Sequence, residues 1–340
     1  MGTGITWYGS TILESASTRL AAYHRLPPIV QGGVIAAVGS SFPELSSAVL
    51  ATLLHGSFDL GVSAIAGSAI FNIAVIPALA TFAAGGVLQT SRDLVYKEAQ
   101  FYILSVAILL LVFSLAVVYY PVQGLEAGAL GAGGAPDAGD IVGDVTRTLA
   151  LIPLGAYALY LFTQWQDTMD YSPAVEPSEV SPLSEWGRLA WSLVVVLVGV
   201  EALVRSAVRL GEILAVPSTF WGLTVIAVGT SLPDTFYSVQ ASRNGQEESS
   251  LANVLGSNVF DLLVAVPAGV LIGGTVSINF SRAVPMLGTL TVLTIVLFAF
   301  MRTKLRLGRK EAWMLLGLYV GFVVWMALET AGVAGMMPWG

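Results

Sequence analysis

Three carboxylates lie in segments that are otherwise apolar: Glu44, Asp234 and Asp261. A charged side chain at the centre of a bilayer costs about 2.5–3.5 kcal/mol, and such residues mark ion pathways by default. No Lys or Arg lies within several residues of any of the three. We therefore expect these carboxylates to be neutralised by protons, by a bound cation, or by each in turn. Dependence on a mobile cation is what a cation transporter requires.

The composition identifies the surroundings of these acids as a lipid bilayer. The 340 residues are 55% hydrophobic and 11% charged, whereas about 25% of an ordinary soluble protein is charged. There is no Cys and there are two His, which excludes disulfide scaffolds and thiolate metal sites and argues against a histidine-rich metal centre. With 22 carboxylates against 15 Lys and Arg, a nucleic-acid partner is disfavoured. The sequence indicates no cofactor and no obligatory protein partner.

The elements that must position the acids are membrane-spanning helices of about 20 residues each. Hydropathy predicts ten of them, at residues 5–23, 29–54, 58–83, 101–120, 146–165, 186–210, 219–242, 251–272, 283–301 and 312–330. We thus predict an all-α membrane protein with ten transmembrane helices. A polar linker, 166–185, divides it into a first five-helix repeat, 1–165, and a second, 186–340.

The positive charges predict the orientation. With the N-terminus outside, all but four of the 15 Lys and Arg residues fall on the cytoplasmic side, as the positive-inside rule requires. The exceptions are Arg147, Arg205, Arg209 and Arg282. We expect a multi-pass protein of the cell membrane with both termini outside and the linker in the cytoplasm.

Two stretches of the chain repeat each other. Gly39, Ser41, Pro43 and Glu44 recur as Gly229, Ser231, Pro233 and Asp234, and GSAIFN from Gly67 recurs as GSNVFD from Gly256. The repeats are five spans apart, an odd number, so equivalent helices cross the membrane in opposite directions. This inverted repeat is the architecture of many secondary transporters.

The repeated residues favour a site for a hard cation. Proline removes a backbone donor and frees carbonyl groups, so each Gly/Pro pair predicts a break in its helix. Ca²⁺ prefers six to eight oxygen ligands, and the breaks offer Ser40, Ser41, Thr230 and Ser231. Ser68 and Asn72 lie one turn apart on the third span, as Ser257 and Asp261 do on the eighth. Helix packing is an alternative role for Ser68, Ser257 and Asn72.

GSSFPEL and GTSLPD, each followed by GS-x-[IV]-F-[ND], resemble the two α-repeats of sodium/calcium exchangers in the cation/calcium exchanger superfamily. The resemblance implies ten helices with ions bound midway between two broken helix pairs. It makes Glu44 and Asp234 the central carboxylates. The other ligands that it implies are Ser40, Ser41, Thr230, Ser231, the carbonyls of Ala37 and Ala227, and Ser68, Asn72, Ser257 and Asp261.

The chain departs from the family pattern at four positions. Asp234 and Ser40 stand where Glu and Thr are usual, and Ala64 and Ala69 stand where Asn is common. The resulting hypothesis is a secondary antiporter that exchanges Ca²⁺ for Na⁺, both of them cargo. A Ca²⁺/H⁺ or K⁺-dependent exchanger is the alternative, although the proton branch typically carries Asn-Ala-x-Glu-type motifs. A metal-dependent enzyme would need a water-activating site, usually with His, and paired breaks in inverted repeats favour alternating access over a channel.

Overall fold

The computed structural model describes residues 2–23, 37–92, 94–122, 141–166, 181–214 and 216–330, which are mostly helical. The first half contains α1 (Gly2–Tyr23), α2 (Ala37–Ser40), α3 (Phe42–His55), α4 (Phe58–Ala83), α5 (Leu94–Tyr119) and α6 (Arg147–Gln166). The second half contains α7 (Pro182–Leu214), α8 (Ser218–Trp221, Gly222–Ile226 and Ala227–Thr230 in succession), α9 (Leu232–Arg243), α10 (Glu247–Gly273), α11 (Phe280–Arg302) and α12 (Arg309–Thr330).

Two of the predicted spans are broken where the Gly/Pro pairs indicate. α2 gives way to α3 at Ser41, and α8 gives way to α9 at Ser231. The beginning of the second predicted span, residues 29–36, lies outside the described residues. Both breaks therefore occur at matched positions of the repeat, which confirms this part of the prediction.

Among the described residues, five helices are long and apolar enough to cross a membrane by themselves: α4, α5, α10, α11 and α12. In the 18-residue apolar stretch of each helix, 94% of the residues of α4 and 78% of those of α10 are buried within the protein, whereas the share is 22–44% in the other three. A helix that is apolar all round and enclosed by protein is a core helix. α4 and α10 therefore form the centre of the bundle, and the full number of ten crossing helices stays a prediction.

Four short strands join the two halves, and the sequence did not predict them. β1 (Val87–Gln89) pairs antiparallel with β4 (Arg306–Gly308), and β2 (Val142–Val145) pairs antiparallel with β3 (Val276–Asn279). β1 follows α4 as β3 follows α10, while β2 precedes α6 as β4 precedes α12. Each pair thus joins one strand from each half, and the repeat symmetry relates one pair to the other.

The first turns of α4 and α10 bind these strands. Asp59, in the first turn of α4, accepts a hydrogen bond from the backbone N–H of Asn279 at 3.2 Å. Glu247, the first residue of α10, accepts one from the backbone N–H of Gln89. α4 therefore begins beside β3, the strand that follows α10, and α10 begins beside β1, the strand that follows α4. α4 and α10 run in opposite directions, as the inverted repeat predicts.

Candidate cation site

An acid stands three residues after each helix break. Ser41 has φ −87° and ψ 4°, and Ser231 has φ −80° and ψ −1°, in the sparsely populated region between helix and extended backbone. Proline two residues later has no N–H to offer to the preceding turn. Glu44 and Asp234 lie in the first turns of α3 and α9, where the helix dipole stabilises negative charge.

Two glycines bring α4 against α8 beside these breaks. A Cβ on Gly67 would lie 2.3 Å from the Leu223 carbonyl oxygen, and one on Gly222 would lie 2.8 Å from that of Leu60. Real Cβ atoms do not approach backbone that closely. The two helices pack backbone to backbone, and the hydroxyl of Ser68, the residue after Gly67, reaches the second break.

Glu44 is held by residues from both halves. The Ser68 hydroxyl donates to Glu44 Oε1 at 3.1 Å, and it also lies 2.7 Å from the Ser231 hydroxyl. Thr230 interacts with the same carboxylate from α8. All four side chains are buried. A residue of α4 thereby links the acid of the first break to the serine of the second.

Asp234 is held in the corresponding way. The Ser257 hydroxyl donates to Asp234 Oδ1 at 3.2 Å and lies 3.2 Å from the Ser40 hydroxyl. Ser41 Oγ lies 3.5 Å from the Ser257 carbonyl oxygen, and Ser40 interacts with the Asp234 carboxylate. Ser257 on α10 therefore donates to Asp234 as Ser68 on α4 donates to Glu44.

Asparagines make the two sides of the site unequal. Asn253 Nδ2 donates to Asp234 Oδ1 at 2.9 Å, and Asn72 Nδ2 donates to Asp234 Oδ2 at 3.4 Å. Asn72 Nδ2 also donates to Asn258 Oδ1 at 3.0 Å. The sequence reasoning missed Asn253 and Asn258. Their signal was available, because the repeat aligns them with Ala64 and Ala69, the two positions already noted as departures.

Asp261 is fully buried. It begins a π-helical turn within α10, a local distortion that is frequent at functional sites. Neither of its carboxylate oxygens has a hydrogen-bond donor among the described residues. The same holds, within that part of the chain, for Glu44 Oε2 and Asn72 Oδ1. In the described part of the chain, these three residues thus contain four buried acceptor oxygens without a hydrogen-bond donor.

The two predicted carbonyl ligands each lie one turn before a helix break. The Ala227 carbonyl accepts from the Ser231 N–H at 3.1 Å and from the Thr230 hydroxyl at 3.2 Å. Ala37 begins α2, one turn before the break. The structure brings the predicted serines, Thr230, Asn72, Glu44 and Asp234 into one hydrogen-bonded region, and Asp261 interacts with Glu44, Asp234 and the Ser41 hydroxyl.

The donor set suits a hard cation. Among the described residues, no three His, Cys, Asp or Glu side chains come close enough to hold one metal ion between them. An ion bound here would therefore combine one or two carboxylates with hydroxyl, amide and backbone oxygens. Such oxygen-only ligands are those that Ca²⁺ and similar hard cations take, whereas softer metals prefer nitrogen or sulfur.

A sequence profile described as "Sodium/calcium exchanger protein" matches residues 1–166 and 184–328. These ranges contain both breaks and both core helices. The chain belongs to the sodium/calcium exchanger family. It is thus a multi-pass membrane protein of a transporter family, and the family resemblance of the two motifs is confirmed.

Other proteins and solved structures are similar to this chain over nearly its whole length. The inner membrane protein YrbG of Escherichia coli is 25% identical, over 94% of this chain and 92% of that protein. The solved structure of the sodium-calcium exchanger NCX_Mj superposes with a TM-score of 0.63 at 22% identity, covering 95% of each chain. The H⁺/Ca²⁺ exchanger CAX superposes with a TM-score of 0.72 at 13% identity, covering 95% of this chain and 80% of that one. These structures confirm the fold of this exchanger-family chain.

Proposed function

We propose that this protein is a secondary antiporter that exchanges Ca²⁺ for Na⁺ across the cell membrane by alternating access. The observation that carries the proposal is the set of buried acceptor oxygens that have no donor among the described residues: Glu44 Oε2, Asn72 Oδ1 and both oxygens of Asp261. A buried acceptor without a partner is costly. A bound cation supplies the missing partner.

Charge favours a divalent ion between the two breaks. In the part of the chain that the structure describes, Glu44, Asp234 and Asp261 form no ion pair with Lys, Arg or His. One Ca²⁺ balances Glu44 and Asp234 together. The hydroxyls of Ser68 and Ser257 and the amides of Asn72 and Asn253 orient the oxygens around it.

Asp261 supplies a third negative charge. With one Ca²⁺ bound between Glu44 and Asp234, the charge of Asp261 is left over in a fully buried position. A monovalent cation or a proton balances it. The same carboxylate therefore keeps Ca²⁺/H⁺ exchange as the alternative function, and the similarity to the CAX fold is compatible with both.

The inverted halves support alternating access. Related breaks approach one site from opposite ends of the bundle, because α4 and α10 are antiparallel. A change of packing in one half then has an equivalent in the other half, which opens the opposite side. The excess of Lys and Arg supports the orientation with both termini outside and residues 166–185 in the cytoplasm.

Ion flux in liposomes tests the proposal. Purified protein is reconstituted into vesicles loaded with Na⁺, and uptake of ⁴⁵Ca²⁺ is measured after dilution into Na⁺-free buffer. Uptake is compared with that in vesicles without a Na⁺ gradient, with a pH gradient alone, and with or without K⁺. The membrane potential is clamped with an ionophore in every condition.

We expect Ca²⁺ uptake that follows the Na⁺ gradient and persists when the pH gradient is collapsed. Uptake that follows the pH gradient alone would contradict Na⁺ coupling and support the Ca²⁺/H⁺ alternative. Na⁺-driven uptake that requires K⁺ would identify the K⁺-dependent class. Downhill Ca²⁺ flux that no second ion affects would contradict antiport altogether.

A further inference from the structure

The amide of Asn258 on α10 lies between the site and the outer helices. Its Nδ2 donates to the Ala69 carbonyl oxygen at 3.2 Å and to the Tyr102 hydroxyl at 3.2 Å. Its Oδ1 accepts from Asn72 Nδ2 at 3.0 Å. Asn258, Asn72 and Tyr102 are all fully buried. The three contacts therefore account for both donors of the Asn258 amide and one of its acceptor positions.

The directions of these hydrogen bonds follow from Ala69. A backbone carbonyl is only an acceptor, so Asn258 must present its NH₂ group to Ala69. The carbonyl oxygen of Asn258 then faces Asn72, which must donate a hydrogen bond to it from its own NH₂ group. The second donor of Asn72 reaches Asp234. Asn72 Oδ1 is left pointing away from these partners, buried and without a donor among the described residues.

Tyr102, on α5, supports the same orientation of the Asn258 amide. Thr294 on α11 interacts with the Tyr102 hydroxyl, and Thr294 itself donates to the Leu290 carbonyl at 2.7 Å. The proton of the Thr294 hydroxyl is thus used within its own helix, and Asn258 Nδ2 lies 3.2 Å from the Tyr102 oxygen. The Tyr102 oxygen is then free to accept from Asn258.

We infer that Asn258 is a positioning residue that fixes the amide of Asn72, so that Asn72 presents its carbonyl oxygen to the transported cation. The reversed amide would present two N–H donors to a positive ion. This inference rests on the proposed function. It makes the asymmetry at position 258 a determinant of cation affinity, since the equivalent residue of the first repeat is Ala69 and has no side-chain amide.

A double-mutant cycle on the full-length protein tests this role. The dissociation constant for Ca²⁺ is measured by equilibrium dialysis with ⁴⁵Ca²⁺ for the parent, Asn258→Leu, Asn72→Asp and the double variant. The melting temperature without Ca²⁺ is recorded for each. Ser105→Ala is the matched control, because its buried hydroxyl donates to the Phe101 carbonyl of its own helix.

Asn258→Leu should weaken Ca²⁺ binding about tenfold, the order of one lost hydrogen bond that orients a ligand. Asn72→Asp makes both oxygens of residue 72 acceptors, so no orientation is needed, and one of them then meets Asn258 Oδ1. In that background Asn258→Leu should leave Ca²⁺ binding unchanged or tighten it. Tyr102→Phe leaves the Ala69 contact and should weaken binding no more than about threefold.

An equal loss from Asn258→Leu in both backgrounds would overturn the inference and assign Asn258 a purely structural role. Unchanged Ca²⁺ binding when Asn258→Leu is introduced into the parent, which retains Asn72, would also overturn the inference. A parent protein that binds Ca²⁺ but shows no Na⁺-driven flux contradicts the exchange function alone, and the cycle still decides the role of Asn258. A parent that binds neither Ca²⁺ nor Na⁺ overturns both.

Discussion

Replacing Glu44 by Gln should remove Ca²⁺ binding while leaving the fold intact. The substitution keeps the size of the side chain, and an amide oxygen still accepts from Ser68, which donates to Glu44 Oε1 at 3.1 Å. The charge is lost. At an effective dielectric near 20, one unit charge about 4 Å from another contributes about 4 kcal/mol. That difference is roughly a thousandfold in a dissociation constant.

Without Ca²⁺, Glu44→Gln should not destabilise the protein. A buried carboxylate without a counter-ion is unfavourable, so Glu44→Gln should melt at the same temperature as the parent or higher. Ca²⁺ should raise the melting temperature of the parent but not that of the variant. The measurements are differential scanning calorimetry with and without Ca²⁺, and Na⁺-driven ⁴⁵Ca²⁺ uptake.

Glu201→Gln is the matched control for this prediction. Glu201 on α7 pairs with Arg205 at 2.8 Å and lies 3.3 Å from His55. The Arg205 side chain is 75% exposed, so that pair contributes at most about 1 kcal/mol. Uptake should survive. If Glu44→Gln binds Ca²⁺ within threefold of the parent, Glu44 is not a charge that the ion meets, and the electrostatic reasoning fails.

Three further predictions test the site, the orientation and the strand pairs. Asp234→Asn should abolish Na⁺-driven Ca²⁺ uptake, whereas Asp234→Glu, which keeps the charge, should retain it; the reverse order would place the charge elsewhere. Since the chain has no native Cys, an impermeant thiol reagent applied outside should label Gly131→Cys and not the exposed Thr303→Cys, and the opposite labelling would invert the topology. Gln89 and Arg306 are register partners in β1 and β4, so Gln89→Cys with Arg306→Cys should form a disulfide on mild oxidation, detected as a mobility shift on gels after cleavage of the linker.

Much of the fold is predictable because membrane helices carry a strong local signal. The prediction for α4 agrees with Phe58–Ala83 at both ends, since Gly56 and Gly85 interrupt the apolar run and adopt positive φ. α5 instead begins at Leu94, seven residues before the prediction, because Lys97 and Glu98 lie in its first turns. Hydropathy finds the apolar core of a helix and omits polar turns that continue it.

The strand pairs carry no such signal. β1 and β4 have three residues each, too few for a pattern of alternating side chains, and their partners lie in different halves of the chain. The pairing of strands so far apart in sequence depends on the assembled bundle. Only the tertiary structure determines it.

The site was predictable to the extent that charge and repetition mark it. Glu44, Asp234 and Asp261 are conspicuous as acids in apolar segments, and the repeat identifies their serine neighbours. Asn253 and Asn258 are different, because an amide among small residues in a membrane helix also fits helix packing. Which end of the Asn72 amide meets the site depends on a chain of hydrogen bonds through α10 and α5, and no spacing rule contains that information.

The reciprocal strand pairs also bear on how such a chain could arise. β1 and β3 are equivalent in the repeat, as are β2 and β4. The β1–β4 pair and the β2–β3 pair are therefore equivalent contacts between the two halves. In a two-fold symmetric dimer, a residue i of one subunit meets j of the other while j meets i. A single five-helix unit inserted in both orientations could satisfy its strand edges in this way. The two halves of this chain therefore contact each other with the reciprocity of a two-fold symmetric dimer, within one polypeptide.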